Sequence, residues 1–375
     1  MNGALVPSPV RIVGTGLIGG SLGLALGDAG TDVQVNDISP GTEALAVELG
    51  VGRAVHDDDD RTAPALVIVA APPDVAAQLV VEALRAFPDA IVADVASVKA
   101  IVLDGVRRRL GPDEGTHLAR YVGAHPMAGR EVAGVIAARG DLFRARPFVI
   151  VPHETTRPEA ISLLRAVATE IGSVPLVMDA ATHDTSVAHV SHVPQVMSSL
   201  LASTLLGVQE QALGLAGQGL RDTTRIAASD PRLWVEIIGA NATAVTPVLT
   251  EVRDRIDDVL AALGTLEGDP DPRVGSRRAI AQLIDDGNRG VGRIPGKHGG
   301  ASDTFATITV LVPDRPGELA RLLGEIGQIG VNLEDLRLEH TLGKRVGLAH
   351  VSVVRTSEEL LIAELGERGW TVVTS

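Results

Sequence analysis

Short apolar runs alternate with stretches of helical periodicity along the first half of the chain. The runs are rich in valine, isoleucine and leucine and are bounded by glycine, proline and aspartate, which is typical of buried strands. They predict strands at Arg11–Val13, Val33–Asn36, Leu66–Ala70, Ile91–Asp94, Tyr121–Ala124, Phe148–Val151 and Val174–Met178. With helices between most of these strands, the order predicts an α/β domain over residues 9–179, built on a parallel sheet with crossover helices.

The pattern changes in the middle of the chain. Strand signals stop, and long helical periodicities follow at Val187–Leu206 and Leu233–Leu263. They predict an all-helical second domain over residues 180–296. Two segments rich in glycine, proline and charged residues, Gly264–Arg278 and Arg289–Ser302, predict breaks in regular structure.

The C-terminal segment returns to short alternating elements. The predicted order is strand Phe305–Val312, helix Gly317–Ile329, strands Val331–Glu339 and Val346–Val354, helix Glu358–Arg368 and strand Trp370–Val373. This βαββαβ order predicts a small two-layer module over residues 304–375, separate from the first sheet.

Charge and cysteine content narrow the function classes. The formal net charge of −14 argues against nucleic acid as a partner, because lysine and arginine dominate that binding. An anionic substrate would need local cations. The chain has no cysteine, which rules out disulfides and thiolate chemistry and favours a reducing, cytoplasmic location. The most apolar segment, Pro64–Val81, is interrupted by Pro72, Pro73 and Asp74, so neither a signal peptide nor a membrane span is predicted.

A glycine-rich fingerprint follows the first predicted strand. In VRIVGTGLIGGSLGLAL the G-x-G-x-x-G spacing falls on Gly14, Gly16 and Gly19, and an apolar helix comes next. Such a turn lets a pyrophosphate approach the backbone and places it at the N-terminus of the helix. We therefore include Leu17 and Ile18, the first residues of that helix, in a predicted dinucleotide site.

The end of the second predicted strand carries a carboxylate, Asp37, at the distance expected for a group that accepts from the ribose hydroxyls. An acid at this position repels a 2′-phosphate. The sequence therefore predicts NAD rather than NADP as the cofactor, and a dehydrogenase as the working class.

Four later segments carry a family resemblance. They are DVASVK (Asp94–Lys99), GAHPMAGRE (Gly123–Glu131), HDTSVAHVSHVP (His183–Pro194) and LRDTTRIAASDPRLW (Leu220–Trp234). In this order behind the glycine fingerprint, the chain resembles the prephenate dehydrogenase family over most of residues 10–262. Leu311–Leu336 looks like part of an ACT domain, an amino-acid-sensing module. The fold class implied is a Rossmann-type doubly wound sheet, an all-helical second domain and an ACT-like βαββαβ module.

The resemblance implies oxidative decarboxylation of prephenate to 4-hydroxyphenylpyruvate, with NAD⁺ accepting the hydride. It makes His125 the general base that accepts the proton of the ring hydroxyl, a role that suits an imidazole with an ordinary pKa. It makes Ser97 a partner of His125 or of the substrate hydroxyl. Taken alone, the pattern around Ser97 would also fit a helix N-cap before Lys99.

The resemblance also implies the substrate contacts. Arg225 would bind a substrate carboxylate, as a guanidinium does in a bidentate manner, and His192 would line the pocket. Glu131 and Asp222 would lie near the entrance or the substrate side chain, with ion pairs to neighbouring arginines as the alternative. His189 and His192 have the spacing of metal ligands, but no third ligand accompanies them, so no metal is predicted.

The C-terminal module carries a predicted effector site. By resemblance to ACT domains, Asp314, Gly317, Gly330 and Asn332 would bind an amino acid at an interface between two modules. The expected effector is tyrosine, acting as a feedback inhibitor. The alternative is a module that only dimerises.

The sequence leaves several alternatives open. Gln218 and Leu220 depart from the glycine-rich and phenylalanine pattern of many relatives, and they leave the choice between prephenate and arogenate undecided. A dehydrogenase of another small hydroxy acid and a non-catalytic regulator that binds NAD and an amino acid are the other two readings. A homodimer formed through the helical domain is expected.

Overall fold

The computed structural model describes residues 5–55, 63–111, 114–129, 132, 134–266, 274–294, 305–340 and 346–373. The chain divides into two compact units, Met1–Val252 and Arg253–Ser375. The three domain boundaries expected from the sequence stay predictions.

The first unit contains an eight-stranded sheet with helices on both faces. Its strands are β1 Val10–Val13, β2 Val33–Asn36, β3 Arg53–Ala54, β4 Leu66–Val69, β5 Ile91–Asp94, β6 Tyr121–Pro126, β7 Pro147–Val151 and β8 Val174–Val177. Its first helices are α1 Leu17–Asp28, α2 Pro40–Glu48, α3 Pro73–Ala86, α4 Ala100–Arg109, α5 Gly115–Leu118 and α6 Pro158–Glu170. The strand order is β3-β2-β1-β4-β5-β6-β7-β8, whose first six strands have the order of a doubly wound nucleotide-binding fold.

The central strands are mostly apolar because both faces of the sheet are covered. Every residue of β4 is buried. Side chains from α1 and α6 fill the core on one face, and side chains from α3 and α4 fill the core on the other. Each fully buried valine or leucine contributes roughly 1.5–3 kcal/mol relative to an exposed one. The predicted Rossmann-type sheet is therefore confirmed.

Two strands, β7 and β8, run against the prediction of a parallel sheet, and they pair parallel with each other. Strand β7 pairs with β6 in the antiparallel sense, with His125 opposite Val149. The described part of the β6–β7 connection contains a single short 3₁₀ turn, Val135–Ala137, and no crossover helix. An antiparallel neighbour needs no crossover, whereas a parallel one does.

The helical part of the first unit follows β8. Its helices are α7 Ala180–Val187, α8 Val193–Thr204, α9 Glu210–Leu213, α10 Gln218–Thr224 and α11 Pro231–Ala240. Helix α12, Ala242–Leu266, begins in this unit and continues into the second. The helical periodicity at Leu233–Leu263 is divided between two helices, because α11 and α12 meet at an angle of 95°. Asn241 leaves the helical conformation at this break, with φ −111° and ψ 21°, and its side chain is buried.

The second unit contains α13 Val274–Val291 and a four-stranded antiparallel sheet. Its strands are β9 Phe305–Pro313, β10 Asp335–His340, β11 Val346–Val354 and β12 Thr371–Val373, and its helices are α14 Glu318–Ile329 and α15 Glu358–Glu367. The strand order is β10-β11-β9-β12. Both helices pack on one face, where Leu322, Ile326, Leu361 and Leu365 are buried. The predicted βαββαβ order is confirmed.

Within the part of the chain that the structure describes, no single helix is long and apolar enough to cross a membrane. The bent pair of α11 and α12 passes the same test of length and composition when its two members are taken together.

Candidate active site

The three fingerprint glycines differ in what surrounds them. A Cβ on Gly14 would lie 2.4 Å from the carbonyl oxygen of Ala70, and φ at Gly14 is +94°. A Cβ on Gly19 would lie 2.0 Å from the carbonyl oxygen of Gly14. Both positions therefore need glycine for the turn and for close packing of α1 on the sheet. Gly16 has no atom within 4 Å of a built Cβ.

The open space at Gly16 lies at the N-terminus of α1, which begins at Leu17. Backbone N–H groups and the positive end of the helix dipole favour an anion there. A pyrophosphate would fit against Gly16, Leu17 and Ile18, and a side chain on Gly16 would occupy part of that space. The residues present therefore fit a dinucleotide.

Asp37 is held at the end of β2 by the turn that contains the glycines. Its carboxylate accepts from the backbone N–H of Thr15 at 2.7 Å, from the Thr15 hydroxyl at 2.9 Å and from the N–H of Ser39 at 2.9 Å. A carboxylate has about four lone-pair sites, so capacity remains for a ribose hydroxyl. Glu43 lies close by and accepts from the N–H of Asp37 at 2.9 Å. Two neighbouring carboxylates disfavour a 2′-phosphate, in agreement with the prediction of NAD.

His125 lies at the carboxyl-terminal end of β6 and belongs to a chain of hydrogen bonds. Its Nδ1 lies 2.9 Å from Nε2 of His183, and the two rings meet edge to face with centroids 5.1 Å apart. Nδ1 of His183 lies 2.8 Å from Oδ1 of Asp184. His183 and Asp184 are both buried. Three side chains thus run in line from the carboxylate to the predicted base.

Asp184 also supports the start of α4. Its two oxygens accept from the backbone N–H groups of Lys99 and Ala100, each at 2.8 Å. Helix α4 has Lys99 as its N-cap and no side-chain cap of its own. The alternative reading in which Ser97 caps this helix is therefore wrong: the cap comes from Asp184.

A buried ion pair lies beneath the histidines. The Lys99 ammonium donates to Oδ1 of Asp94 and to the carbonyl oxygen of Ala124, the latter at 2.7 Å. The Tyr121 hydroxyl donates to Oδ2 of Asp94 at 2.7 Å. Burial lowers the pKa of Lys99 against the attraction of Asp94, and burial raises the pKa of Tyr121 well above its ordinary value. Removing either Lys99 or Asp94 would leave an unpaired charge in the interior, which is strongly destabilising.

His192 enters the same cluster through a distortion of its helix. Residues Ala188–His192 form a π turn between α7 and α8, and such turns are frequent at functional sites. Nδ2 of Asn241 donates to the carbonyl oxygen of Asp184 at 2.8 Å and approaches Nδ1 of His192 at 3.0 Å. Nδ1 of His192 is therefore an acceptor, which leaves the hydrogen of the neutral ring on Nε2. The Trp234 ring packs edge to face on His192 at 6.2 Å.

Titration in this cluster is governed by burial. Burial lowers the pKa of His125 well below its ordinary value, and charges on His183, Lys99 and His192 would lower it further. The ordinary pKa expected from the sequence is therefore wrong, although the imidazole is neutral at neutral pH as a base requires. Burial also lowers the pKa of His192 to about 4. Burial alone would raise the pKa of Asp184, but hydrogen bonds from His183 and from two backbone amides outweigh it and hold the pKa below its ordinary value.

The remaining predicted residues lie at several places. Ser97 is half-buried in the loop between β5 and α4. Arg225 is exposed on the 3₁₀ turn Arg225–Ala227, which packs against α8. Asp222 lies on α10, where it accepts from Gln218 at 2.8 Å. Glu131 lies outside the described residues. Hydrogen bonds connect His125 with His192 through His183, Asp184 and Asn241.

The predicted effector residues all lie in the second unit. Gly317 and Gly330 take the left-handed conformation at the two ends of α14, with φ +91° and +82°. Nδ2 of Asn332 donates to Oε1 of Glu334 at 3.1 Å, and Asp314 is exposed in the loop after β9.

The sequence analysis missed the partners of the two histidines. His183 and Asp184 lie in a segment that carried the resemblance, and Asn241 lies within the helical periodicity Leu233–Leu263. Adjacent histidine and aspartate in that segment were the available signal for two of them. Asn241 gave no signal, because its contacts lie 57 and 49 residues away in sequence. Among the described residues, no group of three side chains could hold a metal ion.

Family models match most of the first two predicted domains. The model for the nucleotide-binding domain of prephenate dehydrogenase matches residues 22–177, and the model for the dimerization domain of that enzyme matches residues 179–270. NovF of Streptomyces niveus, a probable prephenate dehydrogenase, is 33% identical over 370 residues, which cover 96% of this chain and 98% of NovF.

Solved structures resemble three quarters of the chain. Prephenate dehydrogenase of A. aeolicus, in complex with hydroxyphenyl propionate and NAD⁺, superposes with a TM-score of 0.64 and 25% identity over 75% of this chain and 96% of that one. Synechocystis arogenate dehydrogenase gives a TM-score of 0.61 and 26% identity over 75% of this chain and 99% of that one. With the glycine cradle and the histidine cluster, these likenesses place the chain in the prephenate dehydrogenase family.

Proposed function

We propose that this chain catalyses the NAD-dependent oxidative decarboxylation of prephenate to 4-hydroxyphenylpyruvate. The observation that carries the proposal is the state of His125: a half-buried imidazole at the carboxyl end of β6, with a depressed pKa and its Nδ1 engaged by His183. Ligands of open α/β sheets bind at this edge. A neutral ring with one nitrogen engaged keeps the other for a substrate hydroxyl.

The cofactor is NAD, which accepts a hydride when bound. Gly16, Leu17 and Ile18 hold the pyrophosphate against the N-terminus of α1, and Asp37 accepts from the ribose. Gly14 and Gly19 shape the turn.

The substrate is oriented from both ends. His125 accepts the proton of the ring hydroxyl, with Ser97 beside the same hydroxyl. Arg225 binds a carboxylate, and His192 donates its Nε2–H in the pocket. Asp222 would contact the substrate side chain, and the family resemblance gives Glu131 the same role. Aromatisation of the ring supplies the driving force, so the protein has to orient the reacting groups and accept the proton.

Arogenate dehydrogenase is the second candidate, because a solved arogenate dehydrogenase superposes over 75% of this chain. The chemistry at His125 is the same for both substrates. An acid such as Asp222 or Glu131 would pair with the ammonium group of arogenate.

Assembly and regulation belong to the same proposal. The chain forms a homodimer through its helical part, which leaves several large apolar side chains more than half exposed: Leu200, Leu206, Leu215, Leu233 and Val235. The C-terminal module is ACT-like and binds tyrosine through Asp314, Gly317, Gly330 and Asn332. The absence of cysteine supports a cytoplasmic location.

The test is the appearance of NADH with purified protein and NAD⁺, with prephenate and arogenate supplied separately, each with and without tyrosine. We expect turnover of prephenate that tyrosine suppresses. Turnover of arogenate but not of prephenate would identify arogenate as the substrate and leave the proposed chemistry at His125 unchanged. Binding of NAD⁺ without turnover of either substrate would contradict the proposal and favour a non-catalytic regulator.

A further inference from the structure

We propose that His183 and Asp184 are positioning residues that fix the tautomer of His125 and share the positive charge that forms on it. The inference deepens the proposed function and rests on it for the identity of the substrate. It starts from the linear arrangement of Asp184, His183 and His125, joined by contacts of 2.8 Å and 2.9 Å.

The carboxylate determines where the hydrogen of His183 lies. An ionised carboxylate only accepts hydrogen bonds, and the Asp184 oxygens already accept from the N–H groups of Lys99 and Ala100. The contact between Asp184 and Nδ1 of His183 therefore requires the hydrogen on Nδ1. In neutral His183 the other nitrogen, Nε2, then carries a lone pair.

The same reasoning extends to the base. Because Nε2 of His183 is an acceptor, the contact with His125 requires a hydrogen on Nδ1 of His125. Nε2 of neutral His125 then carries the lone pair. The nitrogen that accepts the substrate proton is thus determined two residues away from the substrate.

The chain of Asp184, His183 and His125, called the relay below, also stabilises the positive charge that forms on His125 when it accepts the proton. Lys99, His183 and His192 surround His125, and each disfavours a positive charge on it. Lys99 is paired with Asp94, and His192 accepts from Asn241, so neither can take up the proton. His183 can take up the proton, because its Nδ1 faces the Asp184 carboxylate. Charge that reaches His125 can therefore spread to a ring that already lies beside an anion.

The relay holds the substrate proton during the reaction and returns it to the product. As the hydride leaves the ring carbon for NAD⁺, the hydroxyl O–H bond breaks, its proton bonds to Nε2 of His125, and its electron pair forms the C–O double bond. The Nδ1–H of His125 shifts towards Nε2 of His183. When the bond to the ring carboxylate breaks and CO₂ leaves, that electron pair aromatises the ring, and the proton returns to the oxygen as a phenol. No net proton is released.

Asp184→Asn is the main test. In the wild type Oδ1 of Asp184 accepts from both Lys99 N–H and Nδ1 of His183, and Oδ2 accepts from Ala100 N–H. Asparagine has a single acceptor oxygen, which can keep the bond from Ala100 while the N–H₂ group takes the place of Oδ1 and the bond from Lys99 is lost. The N–H₂ group donates to Nδ1 of His183 and reverses both tautomers, so that Nε2 of His125 carries a hydrogen. We expect kcat to fall by about 10²–10⁴-fold, the range for loss of a general base, with KM and NAD⁺ binding nearly unchanged.

Two further variants separate the parts of the inference. Asp179→Asn is the matched control, since the Asp179 carboxylate caps α7 through Thr182, and the bond of Asp179 to His183 joins backbone atoms that the substitution leaves in place. Its kcat should equal that of the wild type. His183→Gln keeps an acceptor oxygen for His125 but cannot take a proton. We expect its kcat to lie between those of the wild type and Asp184→Asn.

Nitrogen-15 NMR of the histidine side chains reads the tautomers without turnover. We expect Nδ1 of His125 to be protonated and Nε2 unprotonated in the wild type, and the reverse in Asp184→Asn. The opposite tautomer in the wild type, or wild-type kcat in Asp184→Asn, would overturn the inference. The expected tautomers in a protein that turns over neither substrate would support the relay geometry and contradict the proposed function instead.

Discussion

The Asp184 carboxylate accepts the backbone N–H of Lys99 at 2.8 Å, although the two residues are 85 positions apart in sequence. One carboxylate therefore caps α4, which follows a sheet strand, and holds His183, which lies on the first helix after the sheet. The consequence is that the base, the buried ion pair beneath it and the start of the helical part share one network. A change in any member is expected to move the others.

Replacing His125 removes the proposed base. We expect His125→Asn to lower kcat by about 10²–10⁴-fold with a small effect on KM, because general bases typically contribute that factor. Steady-state NADH formation measures both constants. The exposed His189 is the matched control, and His189→Asn should retain wild-type kinetics. Equal rates in the two variants would place the base elsewhere.

Replacing Arg225 tests the carboxylate contact. We expect Arg225→Gln to raise KM for prephenate by about tenfold or more, equivalent to about 1.4 kcal/mol, and to change kcat less. Arg232, an exposed arginine on the next helix, supplies the control, and Arg232→Gln should leave KM unchanged. A fall in kcat with unchanged KM would argue against ground-state binding by Arg225.

Two glycine variants should fail in different ways. Gly16→Ala places a methyl group in open space, so we expect stability close to wild type and weaker NAD⁺ binding, by about tenfold. Gly19→Ala places its methyl against the Gly14 carbonyl, so we expect a loss of roughly 1–3 kcal/mol or more in unfolding free energy. Calorimetric titration with NAD⁺ and chemical unfolding measure the two effects. Tight NAD⁺ binding by Gly16→Ala would contradict the assigned cradle.

The buried His192 makes stability depend on pH. Its pKa is about 4 in the folded protein and 6.5 ordinarily, so between these values the unfolded chain binds a proton that the folded protein does not. The unfolding free energy therefore falls as pH drops from about 6.5 to 4, by roughly 3 kcal/mol from this residue. Urea unfolding at several pH values in this range should show that the unfolding free energy of His192→Asn depends less steeply on pH than that of the wild type. The slope of His189→Asn should not change.

The C-terminal module is tested through tyrosine inhibition. We expect Asn332→Ala to abolish inhibition by tyrosine while basal kcat stays at the wild-type value, since Asn332 lies in the second unit and contacts Glu334. The readout is the tyrosine concentration at half inhibition. Unchanged inhibition in the variant would show that Asn332 is not part of the effector site. A wild type that tyrosine does not inhibit would favour a module that only dimerises.

Local patterns in the sequence determined the elements and the nucleotide cradle. Buried parallel strands need mostly apolar runs, so β1, β4 and β5 were predicted nearly to the residue. The glycines at positions 14, 16 and 19 are set by the turn that they form, and such a turn involves only neighbours in sequence. For the same reason the βαββαβ order of the C-terminal module followed from periodicity alone.

The tertiary structure decided how the candidate base is held. The contacts of His125 with His183, of Asp184 with Lys99 and of Asn241 with Asp184 join residues 58, 85 and 57 positions apart. Hydrophobic periodicity records which face of an element is buried and carries no information on which polar side chains meet there. The direction of β7, the break at Asn241 and the tautomer of the base all depend on such meetings, so only the folded chain determines them.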